Sequence, residues 1–560
     1  MHNLYYNSLI VSYNNGSLAT AYSCVNFLPS PFKIALQTNI SMSKTTILWA
    51  DDEIDLLKPQ ILFLQEKGYE MLTVTNGKDA IEAVKKHPVD VVFLDESMPG
   101  LSGLQTLTFI KEHNSQLPVV MITKNEEENL MEEAIGSQIA DYLIKPVKPQ
   151  QILSTLKKII NKDDLVSEKT VADYRSQFQG LFTRIQDNLS YGEWADLYKD
   201  LIRWELELNK SNTAEMQEVF DMQKGEANTE FNKFVIKNYK KWLAGEAGKD
   251  APIMSHTLFK NKVFDLIKQS KPTFVILIDN LRFDQWRSIQ HLITPYFRIE
   301  EEDTFYAILP TATQYSRNAI FSGMMPVDIQ KQFPDKWLND DDEGGKNMFE
   351  ADFLDAMIKK IFREPIKTQY TKITNHRDGL LLEENILNYM NNRLNVIVYN
   401  FVDMLSHART EMEVLKELAN DEAAYRSLSV SWFEHSPLLN ALKKLAGKDI
   451  NLVITTDHGT VRVKDPSKCI GDRQTTTNIR YKMGKNLQYE ERDVFAVRNP
   501  EEIMLPKSNL TSTYIFAKTD KYLVYPNNYN HFAAYFKNSF QHGGISLEEM
   551  IVPVVKLSSK

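Results

Sequence analysis

Five short apolar runs, each closed by a polar or charged residue, follow one another between Thr46 and Pro146. They are TILWA (46–50), MLTVT (71–75), VDVVFLD (89–95), PVVMIT (118–123) and DYLIKP (141–146). Amphipathic stretches separate them. Leu56, Leu57, Ile61, Leu62 and Leu64 stand near helical spacing, KDAIEAVKKH occupies 78–87, and further helices are expected near 103–112 and 126–137. Five βα units within about 120 residues predict a parallel, doubly wound sheet covered on both faces.

The texture then changes twice. From about residue 150 to 250 the strand-like runs vanish, and TVADYRSQFQGLFTRIQDNL and GEWADLYKDLIRWELEL carry apolar residues three and four apart. This predicts two to four helices in a small bundle, read as a spacer between two active modules. From about residue 270 an α/β pattern returns, with runs TFVILI (273–278), TFYAIL (304–309), NVIVYN (395–400) and NLVITT (451–456). The polar segment DDDEGGKN (340–347) reads as a surface loop. The expected fold is therefore α/β, with units at 44–162, 163–252 (helical) and 253–560. Residues 1–43, rich in Asn, Ser and Tyr, are expected to be a disordered extension or the product of an unused upstream start.

Composition removes several function classes. A net charge of −9 argues against a general nucleic-acid coat, and no helix-turn-helix pattern or basic stripe supports a DNA-binding regulator. Two cysteines far apart, Cys24 and Cys469, build neither a disulfide framework nor a cysteine zinc site, and they fit a reducing, cytoplasmic setting. No apolar run reaches the length of a membrane span.

The ends of the first five runs carry chemistry. Asp51 and Asp52 follow the first, Asp95 ends the third, Thr123 the fourth and Lys145 the fifth. In a parallel sheet these ends converge on one rim. Three close carboxylates repel one another, which a hard cation such as Mg²⁺ relieves, and one of them can then accept a phosphoryl group beside Lys145. The motifs ADDE (50–53), FLDESMPG (93–100), MIT (121–123) and DYLIKP resemble the receiver domain of two-component response regulators. The resemblance implies phosphorylation on Asp95, Mg²⁺ held by Asp51, Asp52 and Asp95, a phosphate grip by Thr123 and Lys145, and Tyr142 as the aromatic switch. It also implies a sensor histidine kinase as partner. Lys124 departs from the small residue usual after the Thr, and slow loss of the phosphoryl group is expected from it.

A second set of residues lies in the C-terminal half. Asp279 follows TFVILI, Asp403 and His407 stand four apart after NVIVYN, Asp457 and His458 close NLVITT, and His542 lies in FQHGGISLEE. Three carboxylates and three imidazoles without thiolate suit Zn²⁺ or Mn²⁺ and suffice for two ions. Two ions can clamp the attacking and leaving oxygens of a phosphoryl displacement, and a metal-bound Thr hydroxyl such as Thr313 can be the nucleophile. This order of residues, with PTAT at 310–313, resembles the alkaline phosphatase superfamily, and most closely its PglZ branch. The resemblance implies one zinc on Asp279, Thr313, Asp457 and His458, a second on Asp403, His407 and His542, and Thr313 as the catalytic residue. Relatives carry Asn three positions on where this chain has Ser316, so Arg317 is a candidate for phosphate contact; a helix-surface charge is the alternative.

Both resemblances in one chain, joined by helices, resemble the PorX-type response regulators of Bacteroidetes. That implies a regulator of type IX secretion, dimeric on phosphorylation, acting on nucleotide or oligonucleotide phosphodiesters, and touching a secretion motor component and a sigma factor. The alternative is an adaptor whose zinc domain docks partners with little catalysis.

Overall fold

The computed structural model describes residues 45–124, 139–160, 162–211, 214–269, 271–340, 342, 344–472, 475–507 and 511–560. The extension 1–43 and the helix expected at 126–137 lie outside them. The chain divides into two compact units, residues 1–163 and 164–560.

In the first unit β1 (Thr46–Ala50), β2 (Glu70–Val74), β3 (Val91–Asp95), β4 (Val119–Thr123) and β5 (Asp141–Ile144) form one sheet in the order 2-1-3-4-5. Every neighbouring pair is parallel. Alternate side chains feed two cores, as the two-residue period of a strand requires. Trp49, Phe93, Ile122 and Leu156 share one, while Leu48, Leu94, Leu107 and Val119 share the other. The helix Gly103–His113 starts at a capping box, with the Ser102 side chain accepting from the Gln105 backbone N–H.

The second unit is built on a six-stranded sheet. Its strands are β6 (Thr273–Ile278), β7 (Phe297–Tyr306), β8 (Thr368–Ile373), β9 (Leu394–Tyr399), β10 (Asn451–Thr455) and β11 (Ile551–Ser559), in the order 7-11-10-6-9-8. Strands β10, β6, β9 and β8 run parallel. Strand β11 is antiparallel to β10 and to β7, so β7 runs with the parallel set. Five strands therefore end at one rim, and β11 begins there. The central β6 and β9 are buried along their whole length.

Three features differ from the sequence reading. Strand β7 begins at Phe297 rather than at Thr304, because its charged half, FRIEEED, lies on the sheet edge and alternates only weakly. Strands β8 and β11 were absent from the apolar runs; β8 is a half-buried edge strand of mixed polarity. The helices Lys162–Gln186, Tyr191–Ser211 and Ala214–Leu243 are more than a spacer. Their Tyr174, Trp194, Trp204, Phe220, Phe231 and Tyr239 join the same hydrophobic core as Phe274, Val396, Leu452 and Val552 of the sheet. Buried ion pairs add to the join: Arg426 meets Glu205 at 2.6 Å and Asp284 at 3.0 Å, and Lys224 meets Glu205 at 2.9 Å and Glu548 at 3.0 Å.

Smaller sheets follow β10, among them Tyr481–Gly484, Thr513–Ala517 and Val494–Val497, paired antiparallel. Lys482 is 1% exposed there; its Nζ donates to the Thr476 carbonyl at 2.9 Å and lies over the Tyr525 ring. Burial pulls its pKa from 10.5 down to about 8. Between those values the unfolded chain holds a proton that the folded chain does not, so stability rises with pH there and falls again as pH drops through about 8. In thermal melts across pH 8 to 10, the wild-type chain should gain stability relative to Lys482→Met; identical pH slopes would contradict this.

Candidate functional site

The rim of the first unit carries Asp51, Asp52 and Asp95, whose ligand atoms all lie within 4.8 Å of one another. Asp51 and Asp95 are buried and Asp52 is exposed. Lys145 Nζ sits 2.9 Å from Asp51 and 2.7 Å from Asp95. Burial pushes the Asp95 pKa up against the pull of Lys145. Burial also lowers that of Lys145, but the two carboxylates outweigh it and leave it raised. Thr123 Oγ1 donates to the Glu96 carboxylate, Tyr142 is 40% exposed, and Lys124 pairs with Glu53 at 3.3 Å. The chemistry of three oxygen-bearing acids with one lysine fits a hard divalent cation.

At the rim of the second unit the chain gathers two triads. Asp279, Asp457 and His458 form one, and Asp403, His407 and His542 the other, each with ligand atoms within 4.8 Å of one another. Asp279 directly follows β6, and Asp457 and His458 follow β10. Asp403 and His407 share one face of the helix Phe401–Glu411 beyond β9. His542 lies ahead of β11. The triads adjoin: the His458 and His542 rings stack with centroids 4.3 Å apart. Thr313 opens the helix Thr313–Ser322, with Oγ1 3.1 Å from His458 Nε2 and 3.5 Å from Asp279 Oδ1.

Local bonds fix these side chains. His542 Nδ1 lies 3.2 Å from the Thr311 carbonyl oxygen, and His458 Nδ1 3.2 Å from that of Gly459. A carbonyl only accepts, so Nδ1 carries the proton and Nε2 presents its lone pair to the site. The Thr311 hydroxyl bonds to the backbone of Gly543 and Gly544 and so braces the His542 loop, while Thr313 faces the triad.

The charges are out of balance. Burial raises the pKa of Asp279 and of Asp457. Burial lowers that of His458, and burial together with His458 brings His542 down to about 3. Burial would raise Asp403 too, but His542, His407 and His458 outweigh it and hold it low. Acids reluctant to ionise beside imidazoles reluctant to protonate are what a cation relieves. Asp457 Oδ2 is buried without a hydrogen-bond donor, an orphan that a metal ion would satisfy. The nitrogen and oxygen donors fit Zn²⁺ or Mn²⁺.

Several residues behave otherwise than the sequence suggested. Arg317 is 2% exposed, so it is no surface charge. Its Nη1 donates to Asp279 Oδ2 at 2.9 Å and its Nε lies 2.7 Å from Glu350. Asn280, which the sequence reading missed, takes a positive φ of 65° that Asn tolerates. From there its backbone N–H reaches Asp457 Oδ1 at 3.2 Å and its side chain Asp403 Oδ1 at 3.3 Å, tying the two triads. Glu350 was missed too, having no motif to mark it. The segment 340–347 is not simply a surface loop: Asn347 Nδ2 donates to the Thr313 carbonyl at 3.1 Å, and Asp340 accepts from Tyr315 and Tyr481.

Family models match for the response regulator receiver domain over residues 47–157, the PorX response regulator linker domain over 164–243, and the BREX system PglZ alkaline phosphatase-like domain over 258–557, more than half of the chain. The chain is similar to the transcriptional regulatory protein SrrA of Staphylococcus aureus, in strains NCTC 8325 / PS 47 and COL alike. Identity is 28% over 116 residues, covering 21% of this chain and 48% of that protein. The chain thus spans about half the length of the curated relatives it matches. Among solved structures it is similar to the chemotaxis response regulator CheY4 of Vibrio cholerae, at 25% identity and TM-score 0.20, covering 21% of this chain and 99% of that one. It is also similar to the receiver domain of a sensor histidine kinase from Pseudomonas aeruginosa PAO1, at 22% identity and TM-score 0.20, with the same coverage.

Gly459 follows His458 because nothing larger fits: a Cβ there would collide with the Glu548 backbone carbonyl. Backbone on both sides cannot give cheaply, so Gly459→Ala should cost about 1–3 kcal/mol. Calorimetric melts of the metal-free chain would check it; an unchanged melting temperature would contradict it.

Proposed function

Because the chain belongs to the PglZ alkaline phosphatase-like family, in the arrangement of a PorX-type response regulator, we propose that it is a phosphorylation-controlled, zinc-dependent phosphodiesterase. The observation that carries this reading is Thr313: a structural metal site needs no hydroxyl, yet Oγ1 lies within 3.5 Å of both Asp279 and His458.

Asp279, Thr313, Asp457 and His458 would hold one zinc ion, and Asp403, His407 and His542 the other. Bound there, the ions would favour the alkoxide form of Thr313 and offset charge on the phosphoryl oxygens. Thr313 Oγ1 gives up its proton to solvent and attacks phosphorus as the ester bond to the leaving oxygen breaks; that oxygen takes a proton from water, and a further water splits the Thr313 phosphoester to free the product and restore the hydroxyl. Its place at the first turn of the helix Thr313–Ser322 aims the helix's positive end at the developing charge. Arg317 and Asn280 keep Asp279, Asp457 and Asp403 oriented.

In the receiver, Asp95 takes a phosphoryl group from a sensor histidine kinase; Asp51, Asp52 and Asp95 would hold a Mg²⁺ ion that offsets the added charge, and Thr123, Lys145 and Tyr142 read the modified state. Phosphorylation biases a homodimer and so sets access to the second site. Nucleotide or oligonucleotide phosphodiesters are the substrates we assign, within cytoplasmic control of type IX secretion through a motor component and a sigma factor. Among the described residues no helix is long and apolar enough to cross a membrane.

Wild type and Thr313→Ala, both loaded with zinc, should be assayed on an aryl phosphodiester and short oligonucleotides. Equal zinc content with turnover reduced on the order of a thousand-fold is the expected result. Wild-type turnover no faster than buffer, phosphorylated or not, would instead favour the adaptor reading.

A further inference from the structure

The helix Thr313–Ser322 is tied along its first turns by a neighbouring segment to which the reaction above gives no role. The N–H groups of a first helical turn have no partner within the helix, and helix ends fray, so a nucleophile there needs outside support. Side chains supply it. Gln314 Nε2 donates to the Leu338 carbonyl at 2.7 Å, the Tyr315 hydroxyl to Asp340 Oδ2 at 2.9 Å, Asn318 Nδ2 to the Lys346 carbonyl at 3.2 Å, and Asn347 Nδ2 to the Thr313 carbonyl at 3.1 Å. The segment also bonds to itself: Lys346 Nζ donates to the Asn339 and Asp342 carbonyls, and Trp337 Nε1 to Asn339 Oδ1 at 3.1 Å.

Asp340 reaches further than the helix. The same Oδ2 that accepts from Tyr315 accepts from the Tyr481 hydroxyl at 3.1 Å. Both tyrosines are buried and their rings meet edge to face, with centroids 6.0 Å apart. Burial, and then the Asp340 charge, push both phenol pKa values well up, so the hydroxyls stay donors. Tyr481 packs against the backbone of Gly543, where a Cβ would come within 2.6 Å of its ring. Gly543 directly follows His542. One carboxylate oxygen therefore joins the helix that begins with Thr313 to the loop that carries His542. These two residues serve different halves of the site: Thr313 borders Asp279 and His458, and His542 groups with Asp403 and His407.

A nucleophile must lie close to its line of attack, and a displacement of about 1 Å, caused away from the chemistry, costs on the order of a hundred-fold in rate. We propose that Asp340 is a positioning residue, which sets Thr313 against His542 through Tyr315 and Tyr481 and so fixes the nucleophile relative to the second triad. The proposal rests on the phosphodiesterase reading.

Steady-state turnover of methyl p-nitrophenyl phosphate and amide hydrogen exchange, both on the zinc-loaded full chain, test it. Asp340→Ala should lower kcat about ten-fold or more, with KM within about two-fold and zinc content unchanged. Asp340→Asn keeps an oxygen in the same place and should recover most of that loss. Tyr481→Phe removes a hydroxyl and leaves the ring, so it should lower kcat in the same direction even where the alanine variant folds poorly. Amides of residues 313–318 and 540–544 should exchange faster in Asp340→Ala than in wild type, and those of β6 no faster. Unchanged kcat in Asp340→Ala and Tyr481→Phe, a loss carried by KM alone, asparagine no better than alanine, or unaltered exchange at both segments would overturn the proposal. If wild type itself shows no turnover, exchange decides: faster exchange at both segments sinks only the phosphodiesterase reading.

Discussion

Asp279 and Asp457 lie buried at the ends of two hydrogen-bonded parallel strands, β6 and β10, and the rest of the site follows from how their charge is offset. Two carboxylates out of water and near each other are costly unless donors or cations surround them. Arg317 supplies one positive charge, 2.9 Å from Asp279 and 3.7 Å from Asp457. Glu350 pairs with the same guanidinium, and Lys372 in turn with Glu350 at 2.9 Å. That chain alternates in sign and leaves the pair of aspartates still short of positive charge. The neutral imidazoles of His458 and His542 cannot supply it. Metal ions can, and the same deficit that would bind them also sets the field in which a phosphoryl group would react.

The sheet makes this concentration of charge tolerable. Its parallel strands are packed on both faces, and the connector helices complete the packing by sharing one core with them. Lys224 of the connector pairs with Glu548 in the segment between His542 and β11, and Glu205 of the connector pairs with Arg426, which also meets Asp284. Asn228 of the connector binds that loop twice, donating to Glu548 at 3.1 Å and accepting from the Leu547 N–H at 2.8 Å. Removing one partner from such a buried network strands the other charge, at a cost of about 3–5 kcal/mol. The helices between receiver and effector are thus structurally part of the effector, and they grip the segment that carries His542.

Much of this was legible in the sequence, for a physical reason. A buried apolar strand that ends in Asp or Asp-His announces a compensated charge, which exposed Asp51, Asp95, Asp279, Asp457 and His458. The i, i+4 pair Asp403 and His407 was equally visible, since helical spacing alone places both on one face. What stayed hidden depends on contacts across long sequence separations. Asn280 matters because its backbone and side chain reach residues 457 and 403. Glu350 matters only because Arg317 folds against it. Edge strands also escaped: β8 and the first half of β7 mix charge with apolar residues too freely to show a clean period. The loop at 340–347 looked solvated by composition, yet Asn347 holds the backbone of Thr313.

The central claim is that this one rim gathers two triads able to hold a pair of ions side by side. X-ray absorption at the zinc edge, on the protein loaded with zinc at neutral pH, addresses it directly. The account predicts two ions per chain, nitrogen and oxygen donors only, and a metal–metal separation of about 4 Å. A single ion per chain, or zinc surrounded by water with no histidine scattering, would contradict it.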